Sequence, residues 1–199
     1  MKYLKSTKNV VGYPLLILLV IGVILNQASS QETNTSKVKF SKYVDKKGNI
    51  SLPPNFRMKM VHLGSWLVPQ GEASGFHDVY TEVASARAYQ QTGKFPDGAT
   101  IVKELRPSFT GNYTTGANVK SATAEVKQWF VMIKNTQNRF KDHPNWGEGW
   151  GWALIKPNNP LKNISKNYKV DCIGCHIPAK QTDWVYIKGY PTLLKKKNN

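Results

Sequence analysis

Two cysteines and a histidine near the C-terminus have a spacing that predicts covalent chemistry. Cys172 and Cys175 are the chain's two cysteines, and His176 follows the second directly. Such a pair could close a disulfide or form half of a zinc site. The sequence has no second cysteine pair and no His-x-x-x-His cluster to complete a zinc site. The adjacent histidine instead favours attachment of one haem c, with the thiols on its two vinyl groups and His176 as iron ligand.

The sequence around this motif predicts the elements that must position it. A helix or helical turn starting near Tyr168 is expected to carry the cysteines, and residues 82–91 predict a helix closed by Gly93. Strands are predicted at residues 76–80, 99–105, 126–133 and 150–155, with a last strand or extended segment at 182–190. Residues 109–118 are rich in Gly, Thr and Asn and predict a loop. The pattern predicts an α+β fold, an antiparallel β-sheet of about five strands with flanking helices.

Two further features near the motif bear on a haem pocket. Trp150 and Trp152 lie on one face of a predicted strand, where we expect them to pack in the core or at a dimer face, with haem contact as the alternative. Asp183 follows His176 by seven residues. It is a candidate acceptor for a hydrogen bond from the histidine ring, or else a helix or turn cap.

The N-terminal residues are expected to be removed from the mature protein. Lys2, Lys5 and Lys8 precede an apolar run at residues 13–25, and small residues follow at 28–30. The run is shorter than the roughly 20 residues that a membrane span needs, so residues 1–30 predict a signal peptide, with an uncleaved anchor as the alternative. We therefore expect an exported protein, in the periplasm or an equivalent compartment. Residues 31–50 predict a flexible leader, and residues 51–199 a single mono-haem domain without a stable membrane span.

The charge of the chain is strongly positive. The formal net charge is +16, or +13 without the three lysines of the predicted signal peptide. Such a surface favours acidic partners, anionic membranes or nucleic acid. Nucleic acid is disfavoured, because the chain is expected to be exported and its basic residues are scattered. An acidic electron-accepting cytochrome is the candidate partner, and a merely solvated basic surface is the alternative.

Four segments of the sequence resemble the cytochrome P-460 family and its close relative cytochrome c′-beta. The resemblance spans nearly all of residues 51–192. The combination of the haem motif with the segments before and after it is more specific than the motif alone. The matching segments are 76–80 (FHDVY), 93–98 (GKFPDG), 102–105 (VKEL) and 172–186 (CIGCHIPAKQTDWVY).

This resemblance implies an antiparallel sheet with flanking helices, usually a homodimer, and a five-coordinate iron open to small ligands. It also implies that Lys103 forms a third covalent bond, to the haem macrocycle. Such a bond breaks ring conjugation and distorts the macrocycle, which changes the electronic properties of the iron. The implied reaction is oxidation of hydroxylamine towards nitric oxide or nitrous oxide, with a base in the pocket assisting proton transfer.

The sequence departs from the family pattern at two pocket positions. Val131 stands where a fully active member carries a distal glutamate, and Glu125 is the nearest acid. His77 stands at a distal arginine position. A histidine there could accept protons near neutral pH and so be catalytic together with Lys103, or it could be a core histidine bonded to the backbone.

Two rival interpretations remain open. A cytochrome c′-beta-like protein has the same fold without the lysine bond, and binds nitric oxide or passes electrons without catalysis. An ordinary electron-transfer protein would instead place a second protein ligand on the iron. The candidates for that ligand are His62, His143, Met58, Met60 and Met132, of which Met60 and Met132 are expected in the core.

Overall fold

An antiparallel β-sheet forms the centre of the computed structural model, which describes residues 40–194. The predicted signal peptide, residues 1–30, lies outside the described residues. Short helices flank the sheet, which confirms the α+β prediction, but the described residues contain nine strands rather than about five. The strands are β1 (Val61–Val68), β2 (Gly75–Thr81), β3 (Thr100–Arg106), β4 (Ser108–Tyr113), β5 (Gly116–Ala122), β6 (Gln128–Lys134), β7 (Trp146–Gly147), β8 (Trp150–Lys156) and β9 (Asn159–Asn163).

Seven of these strands form one sheet, and two form a separate hairpin. The large sheet has the order β1-β2-β3-β6-β8-β7, with β9 paired to β8, and every neighbouring pair is antiparallel. Strands β4 and β5 form the hairpin, so the prediction of a loop at residues 109–118 is wrong. The hairpin is mostly exposed on both sides, so it lacks the alternation of apolar and polar residues that marks a half-buried strand.

Side-chain alternation divides the large sheet into two faces. We call the face that carries Lys103 and Phe130 the front face, and the face that carries Glu104 and Val131 the back face. Lys103 and Phe130 are directly opposite one another on β3 and β6, as Glu104 is to Trp129. The front-face core includes Leu63, Val79, Ile101, Trp150 and Trp152, and the back-face core includes Val131, Ile133, Trp146, Ala153 and Ile155.

The C-terminal segment covers the front face. After α1 (Phe56–Lys59) and α2 (Val83–Thr92), the chain forms α3 (Tyr168–Asp171) and α4 (Ile173–His176). Three 3₁₀ helices follow, at Ile177–Thr182, Ile187–Gly189 and Pro191–Leu193, so the prediction of a strand or extended segment at 182–190 is wrong. Prolines in the first turn of two of these helices favour a helical start and lack the N–H that a strand would donate. Among residues 40–194, no helix is long and apolar enough to cross a membrane.

The described part of the predicted leader covers the back face. Residues 40–50 form turns, and Val44 pairs with Ile50 as an isolated β-bridge. Phe40, Tyr43 and Val44 pack against the back-face core, and Trp146 Nε1 donates to the carbonyl of Gly48 at 2.8 Å. This part of the leader therefore packs on the sheet rather than lying free of it.

A buried carboxylate fixes β3 from the back face. Glu104 is fully buried, accepts a hydrogen bond from Trp129 Nε1 at 2.9 Å, and forms a bidentate pair with Arg57. Arg106 lies 3.5 Å from the same carboxylate. Because a buried carboxylate needs partners for its charge, these contacts stabilise this position of β3. The neighbouring residue on the front face is Lys103.

Candidate functional site

A cavity of about 690 Å³ lies between the front face of the sheet and the C-terminal segment. Its volume is within the range of about 300–1,000 Å³ that is typical of ligand and cofactor sites. Apolar side chains from β3, β6 and β8 line much of its wall. The sequence-predicted site residues all line this one cavity: His77, Lys103, Cys172, Cys175 and His176.

Two short helices position the cysteines. Asn167 caps α3 by accepting a hydrogen bond from the Lys169 amide at 2.9 Å. Tyr168, the first residue of α3, stacks against Trp152 with ring centroids 6.2 Å apart. Cys172 lies between α3 and α4 and is buried, which raises the pKa of its thiol to about 11 and keeps it protonated at neutral pH. Cys175 is exposed at the cavity edge.

His176 is held in one orientation by a backbone carbonyl. Its Nδ1 lies 2.8 Å from the carbonyl oxygen of Trp184. A carbonyl only accepts hydrogen bonds, so Nδ1 carries the proton and Nε2 is left as the metal-binding nitrogen. Trp152 meets the His176 ring edge-to-face, with centroids 4.9 Å apart. Burial, opposed by the hydrogen bond to the Trp184 carbonyl and reinforced by the nearby Lys103, lowers the pKa of His176 to about 4. The ring is therefore neutral at pH 7, the form that binds metals.

The carbonyl that holds His176 belongs to an unusual stretch of backbone. Asp183 and Trp184 both have positive φ, 58° and 67°. A non-glycine residue in this left-handed region typically costs on the order of 1–3 kcal/mol and persists only where surrounding contacts hold it. Of the two roles predicted for Asp183, the hydrogen bond to His176 is wrong, and the structure shows the other, since Asp183 is the C-cap of the 3₁₀ helix Ile177–Thr182. Its carboxylate instead accepts bonds from Lys134 Nζ at 2.5 Å and from the Phe95 amide at 2.9 Å.

Lys103 reaches into the cavity from the front face of β3. It is half-buried, and its Nζ lies 4.1 Å from the centroid of the Phe130 ring. Burial lowers the pKa of Lys103, while the Cys175 and Cys172 sulfurs act to raise it. A lowered pKa increases the fraction of neutral amine, which is the nucleophilic form of lysine. Lys103 therefore shares one cavity with the haem-attachment motif and has the chemistry that bond formation requires.

His77 faces the same cavity from β2 and is buried. Its Nε2 lies 2.7 Å from the carbonyl oxygen of Ala73 and therefore carries a proton, so the neutral ring offers Nδ1 as an acceptor. Burial lowers the pKa of His77; the hydrogen bond to Ala73 opposes this shift, and the positive charges of Lys103 and Lys127 add to it. The structure therefore shows the backbone-bonded histidine of the second interpretation, at a position that lines the cavity, and the catalytic role stays a prediction.

Val131 is among the residues that line the cavity, so it lies at the pocket as expected. Its side chain is buried in the back-face core, and it supplies no acid. The β6 residues on the cavity side of the strand are Gln128, Phe130 and Met132. Glu125, the nearest acid in the sequence, is exposed and does not line the cavity.

Two acidic residues that sequence reasoning missed line the cavity. The Asp171 carboxylate is occupied, because it accepts bonds from the Lys166 and Asn167 amides and from the Ser165 hydroxyl. Glu72 lies in the exposed turn between β1 and β2. Glu72 lines the cavity because of where the turn between β1 and β2 lies in the folded protein, and no local sequence pattern indicates that position.

Most of the candidates for a second protein ligand of the iron do not line the cavity. His62 is bonded to Ser65 and half-exposed, and His143 accepts from the Asn145 amide at 3.1 Å. Met58 is 88% exposed. Of the five candidates, Met132 alone lines the cavity within the described residues.

These residues fit a covalently attached haem. Two thiols and a histidine with a free Nε2 line the wall of one largely apolar cavity. A single histidine suits an iron whose other ligands are supplied by a macrocycle rather than by the protein. The two cysteines, the histidine and the apolar walls therefore meet the chemical requirements of this group.

Comparison with known protein families gives a match to this chain. The family model described as Cytochrome P460 matches residues 53–187, which is most of the chain and includes every residue named in the cavity. A search of curated proteins found no match.

Proposed function

Because the chain belongs to the cytochrome P-460 family of haem cytochromes, we propose that it oxidises hydroxylamine towards nitric oxide or nitrous oxide. One observation carries the proposal: Lys103 lines the same cavity as Cys172, Cys175 and His176. An ordinary electron-transfer cytochrome has no need of a half-buried amine with a lowered pKa in the cavity of its haem motif.

The residues have distinct roles in this proposal. Cys172 and Cys175 would hold the haem through thioether bonds, and His176 Nε2 would bind the iron. When bound, the haem supplies a redox-active iron that can accept electrons from the nitrogen substrate. Lys103 would bond to the macrocycle through Nζ, with loss of an N–H proton, and would distort the ring. His77 Nδ1 accepts protons released by the substrate, and its lowered pKa keeps it in the neutral, accepting form.

A cytochrome c′-beta-like function is the second candidate. The observation that favours it is the apolar character of β6, which presents Phe130 and Met132 to the cavity instead of an acid. An apolar wall suits an uncharged ligand such as nitric oxide. In that case the protein binds nitric oxide or passes electrons, and Lys103 stays unbonded.

We further propose that the protein is exported, forms a homodimer and delivers electrons to an acidic cytochrome. The supporting observations are the signal-like residues 1–30 and the formal charge of +16. The homodimer rests on the family resemblance.

The optical spectrum of the acid-denatured holoprotein tests the lysine bond. We expect a haem band shifted well to the red of an ordinary c-type spectrum, and a proteolytic fragment whose mass joins the Lys103 peptide to the haem peptide. Lys103→Ala should give an ordinary c-type band. Lys156→Ala is the matched control, because Lys156 also lines the cavity from β8 and should leave the red-shifted band unchanged.

The enzyme assignment is tested separately. Purified holoprotein should reduce an artificial electron acceptor only when hydroxylamine is present. An ordinary c-type band in the unaltered protein would favour the cytochrome c′-beta-like function. A red-shifted band without hydroxylamine-dependent reduction would exclude the catalytic function while leaving the bond in place.

A further inference from the structure

Two consecutive left-handed residues direct a main-chain carbonyl at the candidate iron ligand. Asp183 ends the 3₁₀ helix Ile177–Thr182 with φ 58°, and Trp184 follows with φ 67°. The turn they form points the Trp184 oxygen at His176 Nδ1, 2.8 Å away. A tryptophan rarely adopts this conformation without contacts that impose it.

The Asp183 side chain provides those contacts. Its Oδ1 lies 2.5 Å from Lys134 Nζ, at the end of β6, and its Oδ2 accepts from the Phe95 amide at 2.9 Å. Its backbone carbonyl accepts from Trp150 Nε1 at 3.1 Å. Both partners of the Lys134–Asp183 pair are more than 90% buried in their side chains, so the pair is shielded from water. Asp183 is thereby tied to the sheet and to the loop after α2.

We propose that the Lys134–Asp183 ion pair is a positioning device for the iron ligand: it holds the turn that keeps the Trp184 carbonyl hydrogen-bonded to His176 Nδ1. The inference rests on His176 binding the iron, as proposed above. A hydrogen bond at Nδ1 increases the electron-donating strength of Nε2, and so strengthens the bond to the metal. Lys134 and Asp183 are positioning residues, since both act through the backbone of Trp184.

The arrangement distinguishes this role from simple stabilisation of the fold. A second ion pair, Asp97–Arg139, joins the turn after β6 to the loop before β3, with Arg139 also bonded to Asn135. That pair contacts neither Asp183 nor Trp184. Loss of either pair should destabilise the protein, but only loss of the Lys134–Asp183 pair should change the bond between His176 and the iron.

Two variants of the holoprotein test the proposal, Asp183→Asn and Lys134→Met. Resonance Raman spectra of the ferrous protein report the iron–histidine stretching frequency, and a redox titration reports the reduction potential. We expect both variants to lower the stretching frequency, because a weaker hydrogen bond at Nδ1 makes His176 a weaker donor. For the same reason, both should raise the reduction potential. Asp97→Asn, the matched control, should change neither quantity.

The two variants also separate positioning from the direct effect of charge. Removing the negative Asp183 raises the potential by charge alone, whereas removing the positive Lys134 lowers it. Potential shifts of opposite sign together with an unchanged stretching frequency would therefore show that the pair acts only through its field, and would overturn the proposal. An unchanged stretching frequency in both variants would also overturn it.

The experiments give a different result if His176 does not bind the iron. If the unaltered ferrous protein shows no iron–histidine band, or keeps the band in His176→Gly, then His176 is not the ligand and the positioning role falls with it. Absence of hydroxylamine oxidation, with the Raman and potential shifts as expected, would overturn the proposed reaction and leave the positioning role standing.

Discussion

His77 has the two properties that a proton acceptor in the cavity needs. It lines the cavity, and its Nε2–H is already committed to the Ala73 carbonyl, which leaves Nδ1 as the accepting nitrogen. Because burial lowers its pKa below the ordinary value of 6.5, His77 is neutral at pH 7 and becomes protonated only as the pH falls below 6.5. We therefore expect kcat/KM for hydroxylamine to decline on the acid side of pH 6.5.

Replacement of His77 should remove this acid limb. His77→Gln keeps an N–H donor for Ala73 but has no titratable group, so kcat should fall by about 100-fold and lose its dependence on pH below 6.5. Haem content, measured by the pyridine haemochrome spectrum, should stay the same. His62→Gln is the control, since His62 does not line the cavity. If the acid limb persists in His77→Gln, another group is the base, and Glu72 is the next candidate.

The residues of the haem motif could be predicted because their information is local. Cys172, Cys175 and His176 lie within five positions of the sequence, and their spacing alone indicates attachment of a haem. The partner of His176 could not be predicted in this way. It is a backbone carbonyl, which every residue has, and only the folded turn at Trp184 selects it. The expectation that Asp183 fills this role was wrong, although Asp183 holds the turn.

The side chains that β6 contributes to the cavity wall could not be predicted from local sequence either. The family resemblance pointed to Val131, but strand alternation turns that side chain to the back face. Neighbouring strand residues face opposite sides of a sheet, so the side chain that faces the cavity depends on a register that the sequence alone does not fix. Phe130, whose ring lies under the Lys103 amine, faces the cavity instead.

Elements with a strong apolar pattern were predicted well, and those without one were not. Strands β2, β3, β6 and β8 and helix α2 are where the sequence predicts them, since each combines apolar residues with a Pro or Gly boundary or a regular alternation. The hairpin of β4 and β5 is exposed, so its strands depend on hydrogen bonding between them rather than on burial. Burial patterns cannot indicate such strands.

Close packing between β7 and α3 gives a test of how the helix that bears the motif is held. A Cβ at Gly147 would lie 2.2 Å from the ring of Tyr168. Tyr168 is the first residue of α3, and its ring stacks on Trp152. Gly147→Ala should therefore displace α3 and Cys172 with it. We expect a loss of about 2 kcal/mol in the free energy of unfolding, a Tm lower by roughly 6 °C, and less haem incorporated during maturation.

The control for this substitution lies in the exposed hairpin. A Cβ at Gly111 meets only the ring of Tyr113, an exposed side chain that can move aside. Gly111→Ala should leave Tm and haem content close to those of the unaltered protein. Normal haem content in Gly147→Ala would mean that α3 tolerates the shift, and that Tyr168 does not set the position of Cys172.

The distribution of charge over the molecule predicts how it exchanges electrons. The residues around the haem motif include five exposed lysines, and within residues 40–194 none of the five forms a salt bridge. The two aspartates of the same stretch are already bonded, Asp171 to backbone amides and Asp183 to Lys134. The lysines are Lys162, Lys166, Lys169, Lys180 and Lys188. This surface should attract anionic redox partners and repel cationic ones.

Ionic strength tests this expectation directly. Salt screens charges over about 10 Å at 0.1 M, so oxidation of the reduced protein by anionic ferricyanide should slow about ten-fold between 10 and 500 mM salt. Oxidation by a cationic cobalt(III) or ruthenium(III) complex should instead become faster. The double variant Lys169→Gln and Lys180→Gln should flatten both responses if these lysines flank the site of electron transfer. Equal salt responses for the two acceptors would mean that the net positive charge lies away from that site, and would remove the support for an acidic electron-accepting cytochrome.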